Sequence, residues 1–240
     1  MAPSNTSIIL CSGAWHNEHH IKPAVPALEK AGYSVIPRPL ASALSKGGWD
    51  EDVAAFESAI KTELDKGQNV ALILHSAAGP PGCEAVNNIL SSRGAAQSSK
   101  IVELIFVASF IRDDERDAIT ANLFESGFLR LGTGSDEGTL FAENGHRAFF
   151  NDMSVADAAP YIDGLGAQTA YASLGVTSEK WKEVSLTYML CGQDNVAKPD
   201  VQEWVAKNHG MDVVRINAAH DPYVSQPEEF ARLVDQILSA

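Results

Sequence analysis

The sequence predicts an α/β chain: a mostly parallel central sheet of about six strands flanked by helices, with a helical cap inserted before the penultimate strand. Short β-rich apolar runs alternate with stretches of helical spacing, the pattern of parallel strands joined by crossover helices. Several of these runs are apolar on consecutive residues, as central strands covered on both faces require. One interval, about 112–184, breaks the rhythm, and at about seventy residues it is too long for a plain loop.

In chain order, the strands are expected at Ser7–Cys11, Tyr33–Ile36, Val70–His75, Ile101–Ala108, Leu186–Cys191 and Val213–Ile216. Pro23 opens a helix that Gly32 closes, with Val25 and Leu28 turned inward. Asp50 is placed to cap a second, whose Val53, Phe56, Ile60 and Leu64 form one stripe before Gly67. Pro199 starts a third that ends at Gly210. The last begins at Ser225-Gln226-Pro227-Glu228, read as a capping box, and buries Phe230, Leu233 and Ile237. The interval 112–184 carries Leu123, Phe124, Phe128, Phe149, Tyr161 and Trp181, enough apolar area for an ordered cap, with 132–138 as a surface loop inside it. Residues 1–240 are expected to form a single domain with this one insertion.

Composition narrows the function classes. The chain has 240 residues, 45% of them apolar, which suffices for one proper core without staples. Its 18 basic and 31 acidic residues give a net charge of −13, a field that repels phosphate backbones and anionic lipid heads. Neither a nucleic acid nor a membrane is therefore expected as partner. Cys11, Cys83 and Cys191 are scattered and odd in number, which fits reduced thiols in a cytoplasmic protein. The stretch Met1 to Cys11 lacks the basic flank and long apolar run of a signal peptide. The natural substrate and the oligomeric state, a homodimer included, stay open.

The strongest chemical signal is the apolar run Val70 to Leu74 leading into His75-Ser76-Ala77-Ala78-Gly79 and then a helical segment. A serine there sits on a sharp strand-to-helix turn whose hydroxyl projects from the carboxyl edge of the sheet. The N–H of Ala77, at the helix start, is placed to stabilise an oxyanion. The bland alternative is a serine that merely caps the helix. A serine nucleophile needs a base, and the base needs an acid that fixes its tautomer. Asp194 lies just beyond the strand ending at Cys191, and His220 just beyond the next strand, so Ser76, Asp194 and His220 would meet at one edge. Asp113 and Asp114 are the fallback acids. After the first strand, Ser12-Gly13-Ala14-Trp15-His16 would present the Ala14 N–H as a second oxyanion donor. His16, His19 and His20 do not follow the His-Glu-x-x-His register, so no metal site is assigned, and no dinucleotide or phosphate-loop motif occurs. His75 points away from the hydroxyl by the strand's period of two and is not taken as the base.

These pieces together resemble the α/β-hydrolase superfamily, and within it the small cofactor-free branch that includes plant methylesterases, hydroxynitrile lyases and fungal and bacterial esterase-like proteins. Ser12 to His16 looks like that branch's His-Gly-Ala-Trp-His loop, His75 to Gly79 like its elbow, and Val107-Ala108-Ser109-Phe110 like the segment after its next strand. Gln193-Asp194 and His220-Asp221-Pro222 resemble its acid and base loops. The sequence departs from the pattern at Ser12, which replaces a histidine, and at Leu74 and Ala78, which replace the elbow glycines. Asp221 stands where hydroxynitrile lyases carry lysine, which argues against cyanohydrin cleavage.

The resemblance implies a nucleophile at Ser76, a base at His220, an orienting acid at Asp194, oxyanion donors at Ala14 and Ala77, and no cofactor. The expected activity is hydrolysis of a small ester, lactone or related acyl substrate, with Trp15, Phe110, Phe149 and Trp181 as candidate wall residues. Two other readings use the same residues. One is carbon–carbon cleavage, lactonisation or rearrangement with His220 as acid/base; the other is a ligand-binding protein that has lost turnover.

Overall fold

The computed structural model describes residues 5–44, 47–92 and 99–240. Six strands build the main sheet: β1 (Thr6–Cys11), β2 (Ser34–Arg38), β3 (Asn69–His75), β4 (Ile101–Val107), β8 (Leu186–Cys191) and β9 (Asp212–Ile216). They lie in the order β2-β1-β3-β4-β8-β9, and every pairing is parallel. The register sets Ile9 beside Leu72 and Leu72 beside Leu104. Alternation along the strands divides the apolar residues between two cores. Ile8, Leu10, Ala71, Ile73, Ile105 and Val107 face one layer, while Ile9, Leu72, Leu74, Leu104 and Phe106 face the other. Because both faces are covered, β3 is apolar at consecutive positions and buried from Val70 onward. Cys11, Cys83 and Cys191 are free thiols inside these cores.

The helices are α1 (Glu18–Ile21), α2 (Val25–Lys30), α3 (Trp49–Asp65), α4 (Gly79–Ser92), α5 (Asp113–Glu125), α6 (Gly145–Phe149), α7 (Val155–Asp163), α8 (Pro199–His209), α9 (Pro222–Ser225) and α10 (Pro227–Leu238). Among the described residues no helix is long and apolar enough to cross a membrane. Three helix starts differ from expectation. The first helical segment begins upstream of Pro23, at Glu18, because the Asn17 side chain accepts from the His19 N–H at 2.9 Å and caps it. The cap of α3 is Gly48 rather than Asp50, with Glu51 reaching back to accept the Gly48 N–H at 2.8 Å. Ser225 does not box α10, because its hydroxyl donates instead to Asp152 Oδ2 at 2.7 Å.

The interval between β4 and β8 holds helices α5, α6 and α7 and also a three-stranded antiparallel sheet that sequence periodicity did not disclose. Its strands are β5 (Leu129–Leu131), β6 (Thr139–Ala142) and β7 (Ala167–Thr169), in the order β5-β6-β7. Each has only three or four residues, too few to show a period. The tract 132–138 is the turn joining β5 to β6.

Candidate active site

A parallel sheet leaves its working loops at the carboxyl ends of the strands, and four such loops matter here. The first follows β3. Ser76 occupies the left-handed region at φ +51°, a conformation that costs energy for a non-glycine residue and is retained where the surroundings over-determine it. Ser109 Oγ helps to hold it, donating to the Ser76 carbonyl at 2.6 Å. A Cβ on Gly79 would overlap the Phe110 carbonyl oxygen and Ser109 Oγ, so the backbone can approach here only through glycine. Leu74 is accommodated at the position where a small residue was anticipated because Gly82, one turn into α4, leaves room for its Cδ methyls. The space removed at the elbow reappears in the helix.

The second and third loops, after β8 and β9, carry Asp194 and His220. His220 Nδ1 lies 2.8 Å from Asp194 Oδ2, with both side chains buried. Asp194 Oδ1 accepts the N–H groups of Val196 at 2.7 Å and Ala197 at 3.1 Å, and Oδ2 also accepts Gln202 Nε2 at 3.2 Å. Every partner donates, so the carboxylate acts as acceptor only and His220 must present Nδ1–H to it. That leaves His220 Nε2 to receive a proton. Burial pulls this imidazole down, but the Asp194 carboxylate, aided by Asp221, holds it above its ordinary value. Among the described residues no hydrogen bond joins Ser76 Oγ to His220.

The fourth loop follows β1. Gly13 N–H donates to His75 Nδ1 at 3.1 Å, and a Cβ on Gly13 would stand 2.7 Å from Ser76 Cβ, so only glycine lets this loop lie against the elbow. Ala14 and Ala77 line the same cavity as Ser76, which encloses about 360 Å³. Trp15, at φ +67°, locks the loop to the cap: its Nε1–H donates to Leu140 O at 2.9 Å, and its own carbonyl accepts the Gly166 N–H at 2.7 Å. Phe110, Ile119, Leu123, Leu129 and Leu140 give the cavity an apolar wall, while Arg116, Asp117, Thr120, Gln168, Thr169 and Tyr171 add polar and charged groups to its lining.

The family of this fold is legible in comparison as well. The profile of the alpha/beta hydrolase family matches residues 8–233. The chain belongs to that family. It is 29% identical over 240 residues to the alpha/beta hydrolase nvfD of Aspergillus novofumigatus, covering 95% of this chain and 94% of the relative. Over a shorter stretch of 67 residues it is 33% identical to methyl jasmonate esterase 1 of Vitis vinifera, 27% of this chain and 26% of that one. Among solved structures, a pyrethroid hydrolase from Sphingobium faniae superposes with a TM-score of 0.74 at 19% identity, covering 98% of both chains.

In this alpha/beta hydrolase the other site residues read from the sequence fall in different places. Trp15 and Phe110 line the cavity. Phe149 does not; it is fully buried behind it, with its ring 5.7 Å from that of His220. Trp181 is not a cavity residue either. It sits in the core on the Leu72 side of the sheet, against Phe106 and His209, and borders a separate depression away from Ser76. An aromatic residue in a segment without a strand pattern gives no sign of which sheet face it will cover. Asp113 and Asp114 are half-exposed and paired with Arg116 and Arg112, not with His220.

Sequence reading missed a second polar knot behind the first. His16 Nε2 lies 3.0 Å from Asp221 Oδ1, with both side chains buried, and His16 Nδ1 lies 2.5 Å from the Ala14 carbonyl. Burial works against the Asp221 charge, but the imidazole of His16 beside it holds its carboxyl well below the usual range. His75, pushed well below its ordinary value by burial and by its histidine neighbours, is neutral. It accepts the Gly13 N–H at Nδ1 and donates Nε2–H to the His220 carbonyl at 3.0 Å. His75 thus ties the loop after β1 to the loop that carries His220. Gln202 was equally silent: fully buried in α8, it grips Cys191, Ala197 and Asp194 together. The one available signal was Asp221 itself, a carboxylate placed directly after the base.

Proposed function

We propose that this alpha/beta hydrolase cleaves a small, largely apolar ester or lactone through a covalent acyl-enzyme on Ser76. The observation that carries this reading is the 2.8 Å contact between His220 Nδ1 and Asp194 Oδ2, which fixes the tautomer that keeps Nε2 free to take a proton, and the strained backbone of Ser76 supports it. His220 Nε2 takes the Ser76 Oγ proton as Oγ attacks the substrate carbonyl carbon. The Ala14 and Ala77 N–H groups hold the oxygen that becomes negative. Collapse expels the alkoxide, which takes the proton from His220, and a water activated by the same imidazole then releases the acid and restores Ser76. For a lactone, the ring simply opens and both products stay in one molecule. Closing the Ser76–His220 hydrogen bond is assigned to substrate binding, since such bonds commonly tighten only in the complex. The hydrolase and esterase names of the fungal and grapevine relatives support the reaction class, and the leucine, isoleucine and phenylalanine side chains of the cavity support a substrate with an apolar body.

The test is turnover of a short-chain aryl ester by the wild type and by Ser76→Ala. Hydrolysis that falls by about 10⁴ or more in the variant is expected. Turnover that survives the change moves the chemistry to acid/base catalysis by His220 and overturns the acyl-enzyme.

A further inference from the structure

In one corner of the cavity beside Ser76, at Gln168 and Tyr171, the hydrogen bonds run in a single direction. Asp52, fully buried in the first turn of α3, accepts the Ser42 N–H at 3.1 Å on Oδ1 and the Tyr171 hydroxyl on Oδ2. Because the Tyr171 proton is committed to that carboxylate, the Ser42 hydroxyl, 2.9 Å away, must donate to Tyr171. Ser42 Oγ in turn accepts Gln168 Nε2 at 2.9 Å, and the second Nε2 proton goes to the Thr169 carbonyl at 2.8 Å. These two contacts fix which end of the Gln168 amide is nitrogen, since a flipped amide would set oxygen against the Thr169 carbonyl. What remains is Gln168 Oε1. The residue is only 4% exposed and lines the catalytic cavity, yet Oε1 has no hydrogen-bond partner among the described residues.

A buried amide oxygen left unpaired costs about 1–3 kcal/mol, and native proteins retain few such atoms without a use for them. We propose that Gln168 Oε1 is a specificity-determining acceptor for a hydrogen-bond donor on the substrate, so that the preferred ester carries a hydroxyl group on its otherwise apolar body. The corner is built for it. A chain of donors ending on Asp52 holds the amide plane, and the neighbouring wall from Leu123, Leu129 and Leu140 takes the apolar remainder. A neutral amide oxygen gives a hydroxyl a full hydrogen bond but carries no charge to balance a cationic group. The inference rests on the ester-hydrolase reading of this cavity, but it can fail separately.

The probes are methyl octanoate, its monohydroxylated isomers and the matching keto isomers, titrated calorimetrically into Ser76→Ala protein so that binding is read without turnover. At least one hydroxylated isomer is expected to bind about tenfold tighter than the parent ester, a gain of about 1.4 kcal/mol. The keto isomer at the same position, which offers an acceptor only, gains nothing, and the gap closes in Ser76→Ala combined with Gln168→Met. Equal binding of parent and every hydroxylated isomer overturns the proposal, as does an equal gain from the keto isomers. The comparison among ligands stands even where Gln168→Met does not fold. If the wild type hydrolyses none of these esters while the hydroxyl preference in binding persists, the hydrolase reading fails and the subsite survives.

Discussion

At Ser76 and its partners, geometry decides what each group can do. Asp194 accepts from His220, Gln202 and the Val196 and Ala197 amides, so its role is to hold Nδ1–H and face the imidazolium that forms. His220 works as a base only when neutral, and its affinity for protons is raised above the ordinary histidine value of 6.5. The profile of kcat/KM should therefore rise with pH through an apparent pKa above 6.5, with the enzyme inactive on the acid side where His220 is protonated. Asp194→Asn is expected to lower kcat by about 10⁴ while leaving the circular dichroism spectrum unchanged. It should also move that acid limb downward, because burial then acts on the imidazole without the opposing carboxylate. A limb that stays in place would assign the raised affinity to Asp221. Ser76, Asp194 and His220 were each legible as candidates because each follows a recognisable strand, and the structure brings the last two into contact. Gln202 and the His16–Asp221 contact were not, since their meaning lies in side-chain proximity across 8 and 205 positions of chain.

Among the elements, the β3–α4 elbow shows how one fold tolerates a departure in sequence. Leu74 adds bulk at the strand end and Gly82 withdraws it from the facing turn of the helix. Gly82→Ala should consequently overpack this contact and destabilise the protein by about 1–3 kcal/mol in urea unfolding, and most of that cost should vanish in a Leu74→Ala background. Additive effects of the two changes would show that they do not share the space. The six main strands and helices α2, α3, α4, α8 and α10 were readable because apolar runs, prolines and glycines mark them. The cap sheet was not, because strands of three or four residues are specified by pairing with one another rather than by their own pattern. Helix caps also shifted wherever a competing partner was spatial, as when Asp152 took the Ser225 hydroxyl that would have boxed α10.

In the whole molecule, four loops distant in the chain meet at one sheet edge, and buried polar contacts fix them to each other. His75 joins the Gly13 loop to the base loop, and Asp221 joins the base loop to His16 and through it to the Ala14 carbonyl. Trp15 then fastens this assembly to Leu140 and Gly166 in the β4–β8 interval, so the Gly13 loop, His220 and the cavity wall keep a common frame. Such a frame is what preorganised catalysis asks of a fold: donors and base stand in position before charge develops. The most direct measurement of that central claim is the intact mass of the protein after incubation with a serine-directed aryl phosphonate, followed by peptide mapping. One adduct at Ser76 in the wild type, lost in Ser76→Ala and formed far more slowly in Asp194→Asn, is the predicted result. No adduct in the wild type, or a label that persists in Ser76→Ala, would contradict a serine activated by His220 and Asp194.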